Sequence, residues 1–101
     1  MEIFYNFNGQ TLNVRLVGEL DEHSAELARR KLDTIFTENN FNAVILDLSR
    51  MSFMDSTGIG VLIGRYKLLR KSNKQLFVKN PSVTIDKIFK MSGLYEIIER
   101  I

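Results

Sequence analysis

Apolar and polar residues alternate near the start of the chain, which is the pattern of a strand that buries one face. Leucine or valine occupies positions 12, 14 and 16, and asparagine or arginine lies between them. One face should therefore be buried and the other hydrated. Upstream of this strand, Asn8-Gly9 is the dipeptide favoured by type I′ turns, whose two central residues both need positive φ. The segment 3–18 is predicted to form a hairpin centred on this dipeptide.

The segment 24–39, SAELARRKLDTIFTEN, predicts a first helix. Its apolar residues recur at helical spacing from Ala28 to Phe36, which is typical of a helix that packs one side against a core. Asp21 and Ser24 both have the short polar side chain that is favoured at a helix start. Either residue is a candidate cap for this helix.

Two further strands and a second helix follow from the same patterns. The run AVILDL (43–48) is apolar at nearly every position, which predicts a strand covered on both faces or nearly so. A helix is predicted over 57–71, and QLFVKN (75–80) predicts another strand. The apolar stripe of that helix consists of Ile59, Leu62, Ile63, Tyr66 and Leu69.

A third helix should begin at Pro81-Ser82 and end near Gly93, because proline is favoured at helix starts and glycine at C-terminal caps. The last segment, YEIIERI (95–101), is compatible with a strand or a short helix. The element order is β-β-α-β-α-β-α with the last element open. It predicts an α/β domain in which helices pack on a mixed sheet of four to five strands.

Composition and charge narrow the functional classes. The chain of 101 residues predicts one domain, 1–101, and its 45% hydrophobic and 26% charged residues are ordinary for a globular protein. A net charge of +2 gives no argument for nucleic acid, and the absence of cysteine excludes thiolate metal sites. The run STGIGVLIG is far shorter than the roughly 20 residues that cross a bilayer. We expect a cytoplasmic domain without a signal peptide or membrane contact.

The junction between the predicted strand and the second helix, MDSTGIG (54–60), carries the densest chemistry. A serine at such a turn resembles the nucleophile elbow of hydrolases, but that pattern needs glycine where Met54 stands. The only histidine, His23, lies upstream between charged residues and is predicted to be a solvated loop residue. Serine hydrolysis is therefore disfavoured.

Nucleotide and metal sites find little support in the sequence. Glycines at 58, 60 and 64 miss the G-x-G-x-x-G spacing by one residue, and no Gly-Lys-Ser/Thr follows. Gly60 and Gly64 are instead predicted to let the helix approach its neighbour closely. Asp21, Asp47 and Asp55 have no recognisable ligand spacing, so no metal is expected. The basic run 65–74 is predicted to be the hydrated face and last turn of the helix.

The hydroxyl groups of the junction leave two interpretations open. Asp55, Ser56 and Thr57 all suit the first turn of a helix, and one of them suffices as a cap. The exposed N–H groups of a helix N-terminus also hold anions such as phosphate. Capping and phosphate acceptance are both compatible with this cluster.

Three motifs together resemble a known family. FMDSTGIGVLIGRYK, with VGELD near the N-terminus and KMSGLYEII near the C-terminus, is similar to the anti-sigma-factor antagonists, which are bacterial STAS-domain proteins. The resemblance covers essentially the whole chain, and the wording of the motifs is closest to the sporulation branch of the family.

The resemblance implies a phosphorylated acceptor and a docking surface. Ser56 matches the serine that is phosphorylated by the partner, an anti-sigma factor that is itself an ATP-dependent serine kinase. Thr57 offers a second hydroxyl beside it. The loop of Gly18, Leu20 and Asp21 is implied to lie beside Ser56. The implied partner-binding set is Gly18, Leu20, Asp21, Asp55, Ser56, Thr57, Gly58 and Gly60.

The implied mechanism is partner switching. The unphosphorylated protein binds the anti-sigma factor and releases the sigma factor, phosphorylation ends the complex, and a serine phosphatase resets it. No enzymatic activity, cofactor or metal of its own is implied. A STAS scaffold that is not phosphorylated, a nucleotide-binding module and a small hydrolase remain as alternatives.

Overall fold

The computed structural model describes residues 1–101 and contains one five-stranded sheet with three helices. The strands lie in the order of the chain; the first two are antiparallel and the remaining neighbours are parallel. The predicted mixed α/β sheet is therefore confirmed. The elements are β1 (Glu2–Asn8), β2 (Thr11–Leu20), α1 (Ala25–Glu38), β3 (Ala43–Met54), α2 (Ser56–Lys71), β4 (Gln75–Lys79), α3 (Val83–Ser92), a 3-10 turn (Leu94–Glu96) and β5 (Glu99–Arg100).

The hairpin is present, but its turn lies one residue later than predicted. Asn8 pairs with Thr11, so the two central residues are Gly9 and Gln10. Of these two residues only Gly9 has a positive φ, of 62°. A positive φ at the first central position but not at the second is typical of a type II′ turn. The prediction of a type I′ turn at Asn8-Gly9 is wrong, because Asn8 keeps its place in the strand ladder.

All three helices cover the same face of the sheet. In β3, Val44, Leu46 and Leu48 are buried, whereas Ile45 and Asp47 on the other face are only partly covered. The parallel strands follow one another in chain order, so right-handed crossovers place every helix on one side. The strand was predicted to be covered on both faces or nearly so; one face is buried and the other is only partly covered.

The core is a single cluster of 23 buried apolar residues between the sheet and the helices. From α2, Val61, Leu62 and Leu69 enter it. Arg65, predicted to lie on the hydrated face, is 7% exposed, and its Nε lies 3.1 Å from Oδ1 of Asp33 on α1. The buried Arg65 side chain thus forms an ion pair between α2 and α1.

Gly60 and Gly64 do not have the packing role that the sequence predicted. A Cβ added at either position meets no atom within 4 Å, so neither glycine permits a close contact. Gly58 has that role instead.

The C-terminal part combines both predicted alternatives. Ser82 Oγ accepts a hydrogen bond from the Ile85 N–H at 3.2 Å and caps α3, and Gly93 ends the helix at a φ of 76°. A 3-10 turn follows, and β5 then pairs in parallel with β4. None of the helices has the length and apolar character that crossing a membrane requires.

Candidate functional site

The candidate site lies at the edge of the sheet where the parallel strands end. Leu20 at the end of β2 pairs with Met54 at the end of β3. The helices α1 and α2 begin just beyond these residues. The loop after β2 and the N-termini of both helices therefore converge at this edge.

Asp55 joins the two segments that meet at this edge. Its Oδ1 accepts a hydrogen bond from the Gly58 N–H at 2.9 Å, which caps α2. Its Oδ2 accepts from the Glu22 N–H at 3.1 Å, and its own N–H donates to the Leu20 carbonyl at 3.4 Å. The loop after β2 and the start of α2 are therefore held as one unit.

Ser56 and Thr57 are the first two residues of α2, and both are exposed. Because the Asp55 carboxylate supplies the cap, the Ser56 hydroxyl is not needed to satisfy the helix start. The sequence left capping and phosphate acceptance open for this cluster. In the structure Asp55 caps α2, so capping does not account for Ser56 and Thr57. The exposed hydroxyls stand at the positive end of the helix dipole.

Gly58 lets the start of α2 lie directly against the end of β2. A Cβ at this position would lie 2.2 Å from the Leu20 carbonyl oxygen and 2.8 Å from Cγ of Met54. Gly58 is buried and the Leu20 side chain is fully buried. Gly58 and Leu20 therefore lie below the protein surface and fix the backbone beneath the exposed start of α2. Gly60, in contrast, is exposed and has open space around it.

Asp21 organises the turn between β2 and α1. Its Oδ1 accepts from the backbone N–H groups of His23 at 2.9 Å and Ser24 at 3.2 Å. Desolvation raises the pKa of Asp21, but these hydrogen bonds together outweigh it and hold the pKa below its ordinary value. Ser24 precedes α1, yet its hydroxyl donates to the Glu19 carbonyl at 2.7 Å and caps no helical N–H. Asp21 accepts only from N–H groups of the turn that precedes α1, so neither of the two predicted candidates caps this helix with its side chain.

Gly18 lies further back along β2 than the other predicted residues. It pairs with Met51 and has a φ of 109°, which favours glycine. The ladder shifts register directly after it, between Gly18 and Glu19. Gly18 therefore shapes the bulge that leads into the Asp21 turn.

Phe53 was not identified from the sequence. Its ring is 43% exposed at the end of β3, where it pairs with Glu19. Two register shifts between β2 and β3 interrupt the alternation along the strand. Sequence alternation alone therefore could not place this ring at the surface.

Two further exposed side chains of the turn after β2 are those of Glu22 and His23. The Glu22 side chain is 74% exposed and that of His23 is 87% exposed, with 3.8 Å between His23 Nε2 and Glu22 Oε1. The predicted solvated position of His23 is confirmed. No three carboxylate or imidazole groups are placed to hold a metal ion.

Comparison with known proteins gives the same family as the sequence motifs. The model of the STAS domain matches residues 3–101. An anti-sigma F factor antagonist of Paenibacillus polymyxa is 36% identical over 87 residues, which cover 86% of this chain and 74% of that protein. The resemblance predicted from the three motifs is confirmed.

Two solved structures are similar over nearly the whole chain. The anti-sigma factor antagonist SpoIIAA in its unphosphorylated form has a TM-score of 0.81 and 33% identity, covering 99% of this chain and 88% of that one. The Bacillus cell fate determinant SpoIIAA in the phosphorylated form has a TM-score of 0.72 at 33% identity, covering 99% and 91%. The same fold is thus known in a protein that occurs in both states.

Proposed function

The chain belongs to the STAS-domain family, and we propose that it is an anti-sigma-factor antagonist that is switched off by phosphorylation of Ser56. In its unmodified form it binds an anti-sigma factor and thereby releases the sigma factor. The observation that carries the proposal is the exposed Ser56 hydroxyl at the start of α2, next to a carboxylate that already caps the helix.

The docking surface consists of the Asp21 turn and the first turns of α2. Two hydrogen bonds support this surface by joining its segments: the Asp55 N–H donates to the Leu20 carbonyl, and the Asp55 carboxylate accepts from the Glu22 N–H. Asp21, Ser56, Thr57 and Gly60 supply its exposed or partly exposed groups. Gly18, Leu20 and Gly58 act beneath it by fixing the backbone.

Phosphorylation acts on the interface and leaves the fold intact. A phosphoserine adds about −1.5 to −2 charges, and at the N-terminus of α2 it meets N–H groups and the positive end of the dipole. At the docking surface the same group must be desolvated against a site that fits a hydroxyl, and any acidic residue of the partner nearby repels it. The modification therefore weakens binding without unfolding the domain.

The protein is a regulated ligand and a kinase substrate in this proposal, not an enzyme. The anti-sigma factor is the serine kinase and binds the ATP, and a separate serine phosphatase restores the unmodified hydroxyl. No cofactor is assigned to the chain. A nucleotide-binding module is the second candidate, and equilibrium binding of ATP or GTP to the isolated protein would reveal it.

A capture experiment with two variants tests the proposal. Immobilised wild-type protein and Ser56→Ala are each incubated with the cognate anti-sigma factor and then with ATP. The proposal expects both proteins to retain the partner, and ATP to release it only from the wild type. A partner that is never retained would reject the antagonist role. Equal release from both proteins would reject Ser56 as the switch.

A further inference from the structure

The outer edge of the sheet at β1 is unprotected against pairing with another strand. β1 pairs only with β2, over seven residues without a bulge. It contains no proline or lysine, and its one charge is Glu2 at its start. Natural edge strands are normally protected by a bulge, a proline or charged side chains such as lysine. The exposed aromatic rings of this edge are Phe4 at 54%, Tyr5 at 48% and Phe7 at 43% exposure.

The hairpin determines which backbone groups of β1 point outward. Asn8 and Thr11 flank a two-residue turn, so they form a hydrogen-bonded pair whose N–H and C=O groups face each other. Such pairs alternate along an antiparallel ladder. The N–H and C=O groups of Ile3, Tyr5 and Phe7 therefore point away from β2, toward the open edge.

We propose that this edge pairs with the same edge of a second copy of the chain, antiparallel about a twofold axis through Tyr5. In this register Tyr5 faces Tyr5 of the second copy, and Ile3 faces Phe7. Every outward N–H and C=O group then meets a partner, because all three residues belong to the outward-facing set. The two sheets become one continuous sheet, which satisfies an isologous contact.

The charges and the apolar side chains fit this register. Glu2 of one copy faces the uncharged Asn8 of the other, so no like charges of the two β1 strands meet across the axis. On the helix side, Ile3 and Tyr5 border a groove with Leu27 of α1, whose side chain is 51% exposed, and Arg30 and Lys31 of α1 also line this groove. Phe7 of the second copy enters the end of this groove beside Ile3. The pairing buries apolar surface that is otherwise hydrated.

The dimer leaves the Ser56 edge open. The contact uses the side of the sheet formed by β1, whereas Ser56 lies beyond the end of the central strand β3. Each dimer would present two acceptor surfaces that work independently. The inference does not depend on the proposed function, and each can fail without the other.

Sedimentation velocity over protein concentrations from about 1 to 500 µM tests the proposal. The proteins compared are the wild type, Tyr5→Lys, Tyr5→Glu, an equimolar mixture of these two variants, and the control Gln75→Lys. Gln75→Lys adds the same charge at an exposed position of β4. Tyr5 is about half exposed, so circular dichroism should show that its variants retain the fold.

The wild type and Gln75→Lys should rise from 11.7 kDa toward twice that mass with concentration. Each Tyr5 variant alone should associate at least about tenfold more weakly, because like charges then face each other on the axis. The mixture should associate again, because only a twofold at residue 5 brings lysine opposite glutamate. A wild type that stays monomeric, or a mixture no better than either variant alone, would overturn the proposal.

Discussion

Asp55 Oδ2 accepts a hydrogen bond from the Glu22 backbone N–H at 3.1 Å, although the two residues are 33 positions apart in the chain. The other oxygen of the same carboxylate caps α2 through the Gly58 N–H. One side chain thus fixes the turn after β2 relative to the helix that carries Ser56. A change in the turn can therefore alter how Ser56 is presented without contacting it.

Asp21→Asn should weaken function more than stability. The amide oxygen can still accept from the N–H groups of His23 and Ser24, so the turn should persist. The substitution removes a negative charge from the proposed docking surface. We expect weaker binding of the anti-sigma factor or slower phosphorylation, with the melting temperature nearly unchanged. Glu38→Gln, which neutralises a carboxylate at the far end of α1, is the control. If binding and phosphorylation kinetics were unchanged, the only role of Asp21 would be to stabilise the turn between β2 and α1.

Gly58→Ala and Gly60→Ala should shift stability in opposite directions. The added methyl at Gly58 would lie 2.2 Å from the Leu20 carbonyl, and relieving such a clash costs about 1–3 kcal/mol. At Gly60 there is open space, so alanine should stabilise the helix by about 0.5–1 kcal/mol. Thermal melting measures both, at about 4–8 °C per kcal/mol for a domain of this size. Equal shifts in one direction would contradict the packing described for Gly58.

The C-terminal segment should lose stability in strong base. Desolvation and a hydrogen bond to Asp86 at 2.5 Å raise the pKa of Tyr95 to about 12 from its ordinary value of 10.0. A group with a raised pKa contributes stability fully below its unfolded pKa and loses that contribution as the pH passes its folded pKa. The melting temperature should therefore fall additionally between pH 10 and pH 12, and Tyr95→Phe should remove that additional fall. Tyr5→Phe, at an exposed ring, is the control. A pH profile that is the same for Tyr95→Phe and the wild type would refute the assignment.

The hydrophobic pattern of the sequence predicted most helices and strands, but it did not predict which residues make close tertiary contacts. The start of α2 and its polar cluster followed from helical spacing and capping preferences. Helical spacing placed Gly60 and Gly64 on one side, yet the clash is at Gly58, because only the tertiary structure brings the Leu20 carbonyl there. The apolar run of β3 likewise could not reveal that every crossover lies on the same face. Long-range geometry, not local propensity, decided these points.

Ser56→Ala should abolish phosphate incorporation by the cognate kinase while the partner remains bound. Intact-mass analysis after incubation with the partner and ATP should show one added phosphate on the wild type and none on the variant. Thr57→Ala is the matched control, because it removes the neighbouring exposed hydroxyl and should still accept phosphate. Undiminished phosphate on Ser56→Ala would move the acceptor to another residue, with Thr57 the first to examine.

The central claim is that one phosphate changes affinity and leaves the fold unchanged. Titration calorimetry of the anti-sigma factor with unmodified and with Ser56-phosphorylated protein tests it most directly, with circular dichroism and melting curves of both forms beside it. A desolvation and repulsion penalty of roughly 3–4 kcal/mol predicts binding several-hundred-fold weaker for the phosphorylated form, with matching spectra and melting temperatures. Equal affinities, or a large structural change on phosphorylation, would contradict the account.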